Sequence, residues 1–201
     1  SVRDGITVNL VYDGRAARVT LDNAKVKEIE RYYDQCEAQG ANEHQIEESQ
    51  KAVAQMEAII GDPDRLRAVA KDFIHHYETR VAEGATVAGK AMFVCMNRNI
   101  AYDLYKIIVE MRPQWSEKKI SEDEAALTDK EKKELKPIEK IKLVMTRNKD
   151  DEPALYEMLG TKDDRKEFDR QFKNPKSNFK IAIVVDMWLT GFDVPELDTI
   201  Y

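Results

Sequence analysis

Three short runs of this chain are almost wholly apolar: Lys90-Ala-Met-Phe-Val-Cys-Met96, Ile141-Lys-Leu-Val-Met-Thr146 and Ile181-Ala-Ile-Val-Val185. Each is far shorter than the roughly 18–20 residues that a membrane span needs. None shows the apolar–polar alternation of a strand with one wet face. They read instead as strands buried on both faces, which is how parallel strands covered by helices are written. Helical spacing fills the gaps between them. Tyr102, Tyr105, Ile108 and Val109 share one side of a helix predicted over Ala101–Met111, and Leu155 to Lys173 reads as mostly helical. Strand–helix–strand alternation of this kind predicts an α/β fold, a parallel sheet flanked by helices, over residues 90–201.

The sequence ahead of that core has a different texture. Ile6, Val8, Leu10 and Tyr12 recur at period two, Asp13-Gly14 supplies a tight turn, and Val19 and Leu21 resume the alternation. This predicts a β-hairpin over 1–21. Three amphipathic helices should follow as a helical insertion over 22–84. Their stripes are Val26–Ile29–Tyr33–Cys36, Ile46–Val53–Met56–Ile60 and Leu66–Val69–Phe73–Tyr77–Val81, closed by Gly40, Gly61 and Gly84. The stretch 113–137 is dominated by Lys, Glu and Asp. It is expected to be a solvated loop with almost no core residues.

Composition narrows the functional classes. A hydrophobic fraction of 42% supports a real core. A net charge of −6 and a pI near 5.3 exclude a protein coated in basic charge, while leaving room for a local basic groove. Cys36 and Cys95 cannot build a disulfide framework or a zinc site by themselves, so the expected compartment is the cytoplasm. Ser1–Leu10 lacks a basic region followed by an apolar one, so no secretory signal is expected. His44, His75 and His76 have no metal-ligand spacing, and no Gly-x-Ser-x-Gly elbow occurs. No catalytic residue and no metal ligand is therefore assigned. Gly84-Ala-Thr-Val-Ala-Gly89-Lys90 copies the spacing of a phosphate loop. However, Ala91 stands where a hydroxyl is needed, and a helix precedes the motif where a strand should. Glu117-Lys118-Lys119 resembles the tail of a nuclease motif but lies in the charged stretch, without a strand to hold it.

Open parallel sheets bind ligands at the carboxyl ends of their strands. Three such ends carry polar residues here. Asn97-Arg98 follows the first strand, Thr146-Arg147-Asn148 the second, and Asp186, Thr190, Gly191 and Asp193 the third. These are side chains suited to phosphate and sugar. Thr190 can bond a phosphate, Gly191 lets backbone approach a ligand, and Asp193 can accept from ribose hydroxyls.

The last stretch, Asp186-Met-Trp-Leu-Thr-Gly-Phe-Asp-Val-Pro195 with Thr199 and Tyr201 beyond it, resembles helicase motif V of one particular family. That family is the restriction (R, HsdR) subunit of type I restriction–modification enzymes. Lys90–Tyr105 resembles its motif IV, Asp4–Asn9 the start of its second motor domain, and Phe172-Lys-Asn-Pro175 also fits. General superfamily 2 helicases write T-D-x-x-x-R-G-x-D-x-P here, and this chain has Val185 for the threonine and Thr190 for the arginine. The resemblance implies a partial second RecA-like domain over 1–201, in the motor of an ATP-dependent enzyme that pulls and cuts DNA. It implies Gly191 and Asp193 at an ATP cleft whose magnesium and phosphate ligands lie mostly elsewhere. It places Asn97, Arg98, Thr146, Arg147, Asp186, Trp188 and Thr190 toward double-stranded DNA. The implied partners are the first motor domain and the modification and specificity subunits. Two other readings are a non-catalytic helical interaction module and a motor domain of another superfamily 2 helicase or remodeller.

Overall fold

The computed structural model describes residues 11–14, 51, 54–188 and 193–201. The chain divides into two compact units, Ser1–Asn42 and Glu43–Tyr201. Of the first, only 11–14 are described. They are exposed and lie outside any strand or helix, Tyr12 of the expected hairpin among them. The rest of the hairpin and the first predicted helix fall outside the described residues.

The second unit has the predicted α/β architecture. A helical stretch over 54–60 ends where Gly61 N–H donates to the Glu57 carbonyl. Asp62 then caps α1 (Pro63–Ala82), its carboxylate accepting from the Asp64 and Arg65 amides, with Pro63 in the first turn where no amide partner is required. After α1 come β1 (Lys90–Val94) and α2 (Arg98–Met111). A 3₁₀ turn (Pro113–Ser116), a second one (Glu124–Ala126) and α3 (Asp129–Glu134) lead to β2 (Ile141–Val144). Next are α4 (Pro153–Leu159), α5 (Lys162–Lys173), β3 (Ile181–Val184) and β4 (Leu197–Ile200). The strands pair in the order β2-β3-β1-β4, all parallel, with Ile181 beside both Ala91 and Ile141. This is a RecA-like arrangement.

Period-two alternation sorts each strand between two cores. Ala91, Ile141, Leu143, Ile181 and Ile183 face Leu66, Phe73 and Tyr77 of α1, Leu104 and Ile108 of α2, and Leu155 and Leu159 of α4. Met92, Val144, Ala182 and Val184 face the other way, onto Phe172 of α5, Phe179 and Val194. The stripe Leu66–Phe73–Tyr77, read as part of an insertion, is thus one wall of the sheet's own core. Val81, at its end, is exposed.

The charged stretch 113–137 corrects an expectation. Trp115, Leu127 and Leu135 are buried, as is Ile138 just beyond. Lys119 and Ile138 exchange backbone hydrogen bonds of 3.1 and 3.0 Å, and Asn178 donates from its amide to the Ile120 carbonyl and from Nδ2 to the Ile138 carbonyl. A few apolar anchors and one short bridge strap this segment down, although its average composition is that of a solvated loop. The single helix expected over 155–173 is two, broken at Gly160.

Gly160 sits at φ 65°, ψ 177°, a region open in practice only to glycine. An added Cβ would lie 2.7 Å from the Asp164 Cβ. Gly160→Ala should therefore cost about 1–3 kcal/mol in a urea melt. Lys90 is the second test. It is 1% exposed, donates to the Phe179 carbonyl at 2.5 Å and lies 5.1 Å from the Phe172 ring. Burial, with the charge of Lys180 added, brings its pKa down from 10.5 to about 6. Between pH 6 and 9 the unfolded chain holds a proton on Lys90 that the folded chain does not. Stability should rise with pH across that window and fall on acidification. Lys90→Met should flatten the slope by about 1.4 kcal/mol per pH unit, measured by denaturation at a series of pH values.

Candidate nucleic-acid interface

Parallel pairing sends β1, β2 and β3 out of the sheet on the same side, so the residues after Val94, Val144 and Val184 share one edge. The pairing continues to that edge, since the Cys95 amide donates to the Val184 carbonyl at 2.9 Å. Desolvation pushes the buried Cys95 thiol up to about 12, so it is a packing group.

Asn97 caps α2, its Oδ1 accepting from the Ile100 amide at 2.9 Å. This fixes where Arg98 stands, at the first residue of the helix. The Arg98 guanidinium reaches across to the tip of β2. Nη1 donates to the Thr146 carbonyl at 2.7 Å, and Nη2 donates to both Asp151 carboxylate oxygens at 2.6 Å. Asp151 also accepts from the Asn148 amide at 2.6 Å and is only 6% exposed. The loop 146–151 is wound around one arginine, so two strand tips are clasped together. The Thr146 side chain is exposed and takes no part in the clasp.

Arg147 is held differently. Its Nε donates to the Tyr156 carbonyl at 2.7 Å and its guanidinium lies 4.3 Å over the Tyr156 ring. A carbonyl and a ring face hold the guanidinium without an ion pair, although the Asp164 carboxylate is near enough to feel its charge, and the hydrogen bond uses Nε and leaves the two Nη groups to fork onto an anion. Lys149, two residues on, is exposed and likewise has no ion pair among the described residues.

The third tip is strained. Asp186 and Trp188 adopt φ 54° and 62°, conformations that non-glycine residues seldom take. The turn lifts Asp186 into solvent and sends Trp188 inward, stacked at 5.4 Å on the buried Phe172 ring. Trp188 is therefore a core anchor of this loop. Asp193 is exposed, and among the described residues no hydrogen bond or ion pair joins it to Arg98 or Arg147. It lies four residues before Leu197, which pairs with Lys90 at the opposite end of β1 from Asn97. Thr190 and Gly191 lie outside the described residues.

The phosphate-loop lookalike does not become a cradle. Gly84 and Gly89 both take left-handed backbone, and the Gly89 carbonyl accepts from the Tyr77 hydroxyl at 2.8 Å. Lys90 points into the core. Among the described residues, no group of three or more His, Cys, Asp or Glu side chains could hold a metal ion. No described helix is long and apolar enough to cross a membrane.

A family model for domain 3 of the type I restriction enzyme R subunit matches residues 88–201. The chain belongs to that family. It is 32% identical over its whole length to the type I restriction enzyme HindI endonuclease subunit of Haemophilus influenzae. It is 34% identical, over 99% of its length, to the "Putative type I restriction enzyme MjaIXP endonuclease subunit" of Methanocaldococcus jannaschii. The chain spans 16% of the length of each of these relatives. No solved structure matches it significantly.

In this R-subunit segment, sequence reasoning missed Asp151 and Tyr156, the partners that decide what Arg98 and Arg147 do. Asn148-Lys-Asp-Asp151 carries the signal of a turn closed by an Asp side chain, which could have drawn attention to Asp151. Tyr156 offers no such signal, because its role is to lend a carbonyl and a ring face. Removing the Asp151 charge while keeping its shape tests the clasp. Asp151→Asn should cost about 1.5–3 kcal/mol by chemical denaturation, the range for a hydrogen bond to a charged group.

Proposed function

We propose that this chain is part of the DNA-translocating motor of a type I restriction enzyme R subunit, with the strand-tip edge as its seat for the DNA backbone. The observation that carries this reading is Arg147 on that edge, held by a neutral carbonyl and a ring face and in no ion pair among the described residues. A neutral carbonyl and an aromatic face hold the guanidinium without cancelling it, which suits an arginine that meets a phosphate. Arg98 then serves as the strut that keeps two tips in register, while Asn97 sets the start of α2 and Thr146 offers an exposed hydroxyl between them. Asp186 and Thr190 would lie toward DNA on the third tip. Trp188 would hold that tip onto α5.

In the same reading Gly191 and Asp193 form part of an ATP cleft, with the exposed Asp193 carboxylate free to accept from ribose hydroxyls. The ligands for magnesium and the triphosphate would lie mostly on other parts of the R subunit. Triphosphate chemistry and DNA cutting would belong to other parts of the R subunit, so the chain by itself should hydrolyse nothing. Its partners would be the first motor domain and the modification and specificity subunits, in a cytoplasmic complex. The helical interaction module is less well supported. Leu66 and Phe73, on the helix it would use for docking, are 3% and 2% exposed against the chain's own sheet.

The test is binding to a fluorescein-labelled duplex of arbitrary sequence, followed by anisotropy across a salt series. Affinity should fall with salt at a log–log slope of about −0.9 per phosphate neutralised, independently of sequence. Arg147→Gln should make that slope shallower by about 0.9. Binding that ignores salt, or that selects one sequence, would overturn the proposal.

A further inference from the structure

The described arginines fall into two groups. Arg67, Arg80, Arg98, Arg112 and Arg170 each have a carboxylate partner: Glu110, Asp198, Asp151, Glu78 and Glu167 respectively. Arg65, Arg147 and Arg165 are held by backbone carbonyls instead. Two of these three carbonyls close the same short helix. Arg147 Nε donates to the Tyr156 carbonyl in α4 at 2.7 Å. Arg165 Nη1 donates to the carbonyl of Gly160, the residue that ends α4, at 3.3 Å. The two acceptors lie four positions apart.

We infer that Arg165 is a second ligand for the DNA phosphate backbone, and that with Arg147 it makes a two-arginine clamp at the carboxyl end of α4. The inference rests on the reading of the strand-tip edge as a DNA seat and adds to it a residue from a different element, the first turn of α5. The end of a helix carries partial negative charge from its unpaired carbonyls. One guanidinium is anchored on a carbonyl within α4 and the other on the carbonyl of its capping residue. Because a carbonyl is neutral, each arginine keeps its formal charge, and each keeps donors directed away from the bond that holds it. Asp164 precedes Arg165 in the first turn of α5. Its Oδ2 accepts from the Thr161 amide and hydroxyl, both at 2.7 Å. These bonds, with Arg147 close by, hold its pKa below the ordinary value. Asp163, next along, is paired with Lys166. Neither forms an ion pair with Arg147 or Arg165.

The intact chain is titrated with the labelled duplex across the salt series as wild type, Arg147→Gln, Arg165→Gln and Arg165→Lys. Arg165→Gln should make the log–log slope shallower by about 0.9 and weaken binding, while Arg165→Lys should keep the wild-type slope. A residue that merely closed α4 would lower the denaturation midpoint without moving the slope. In parallel, an arginine-selective dicarbonyl reagent is mapped on the wild-type chain with and without duplex, so that the outcome does not depend on a variant folding. Arg165 should be protected by duplex together with Arg147. If Arg147→Gln flattens the slope while Arg165→Gln leaves it unchanged and Arg165 reacts equally with and without DNA, the clamp is overturned and the seat survives. If wild type shows no salt-dependent binding, the seat and the clamp fail together.

Discussion

Everything in the described unit follows from strands that run parallel and must therefore be connected outside the sheet. A parallel pair cannot be closed by a tight turn, so the chain has to leave at one edge and re-enter at the other. The return legs become the helices that cover both faces, and covered faces are what make Ile141–Val144 and Ile181–Val184 buried on every residue. The same constraint gathers the exits of β1, β2 and β3 along one rim. That rim is a product of topology before any side chain is chosen for it.

The chain then treats its three exits unequally. The first two are locked to each other by Arg98, whose charge is spent on Asp151 and on the Thr146 carbonyl. The third is held from behind by Trp188, whose ring rests on Phe172 while Asp186 faces water. Two left-handed residues in that short turn store strain, and the Trp188 packing is what holds it in place.

The sheet was legible in the sequence because its residues satisfy a one-dimensional rule. Short runs that are almost wholly apolar mean two covered faces, and no partner needs to be known. The strand-tip position of Asn97, Arg98, Thr146 and Arg147 was legible for the same reason. What each arginine does was not, since Arg98 and Asp151 meet across fifty-three positions and Arg147 depends on a carbonyl, which every residue has. The strapped segment 113–137 was misjudged because composition averages over a window, whereas anchoring needs only a few residues such as Trp115, Leu127 and Leu135. The fate of Trp188 turned on a φ of 62°, which no propensity scale anticipates for tryptophan.

The acidic net charge and the carbonyl-held guanidinium groups at α4 together set the range over which this surface can be felt. A net charge of −6 repels a polyanion at a distance. At physiological ionic strength, fields die away within about 8 Å, so the arginines act only after near-contact. Such a surface gains little from long-range steering and holds only what has already been delivered to it.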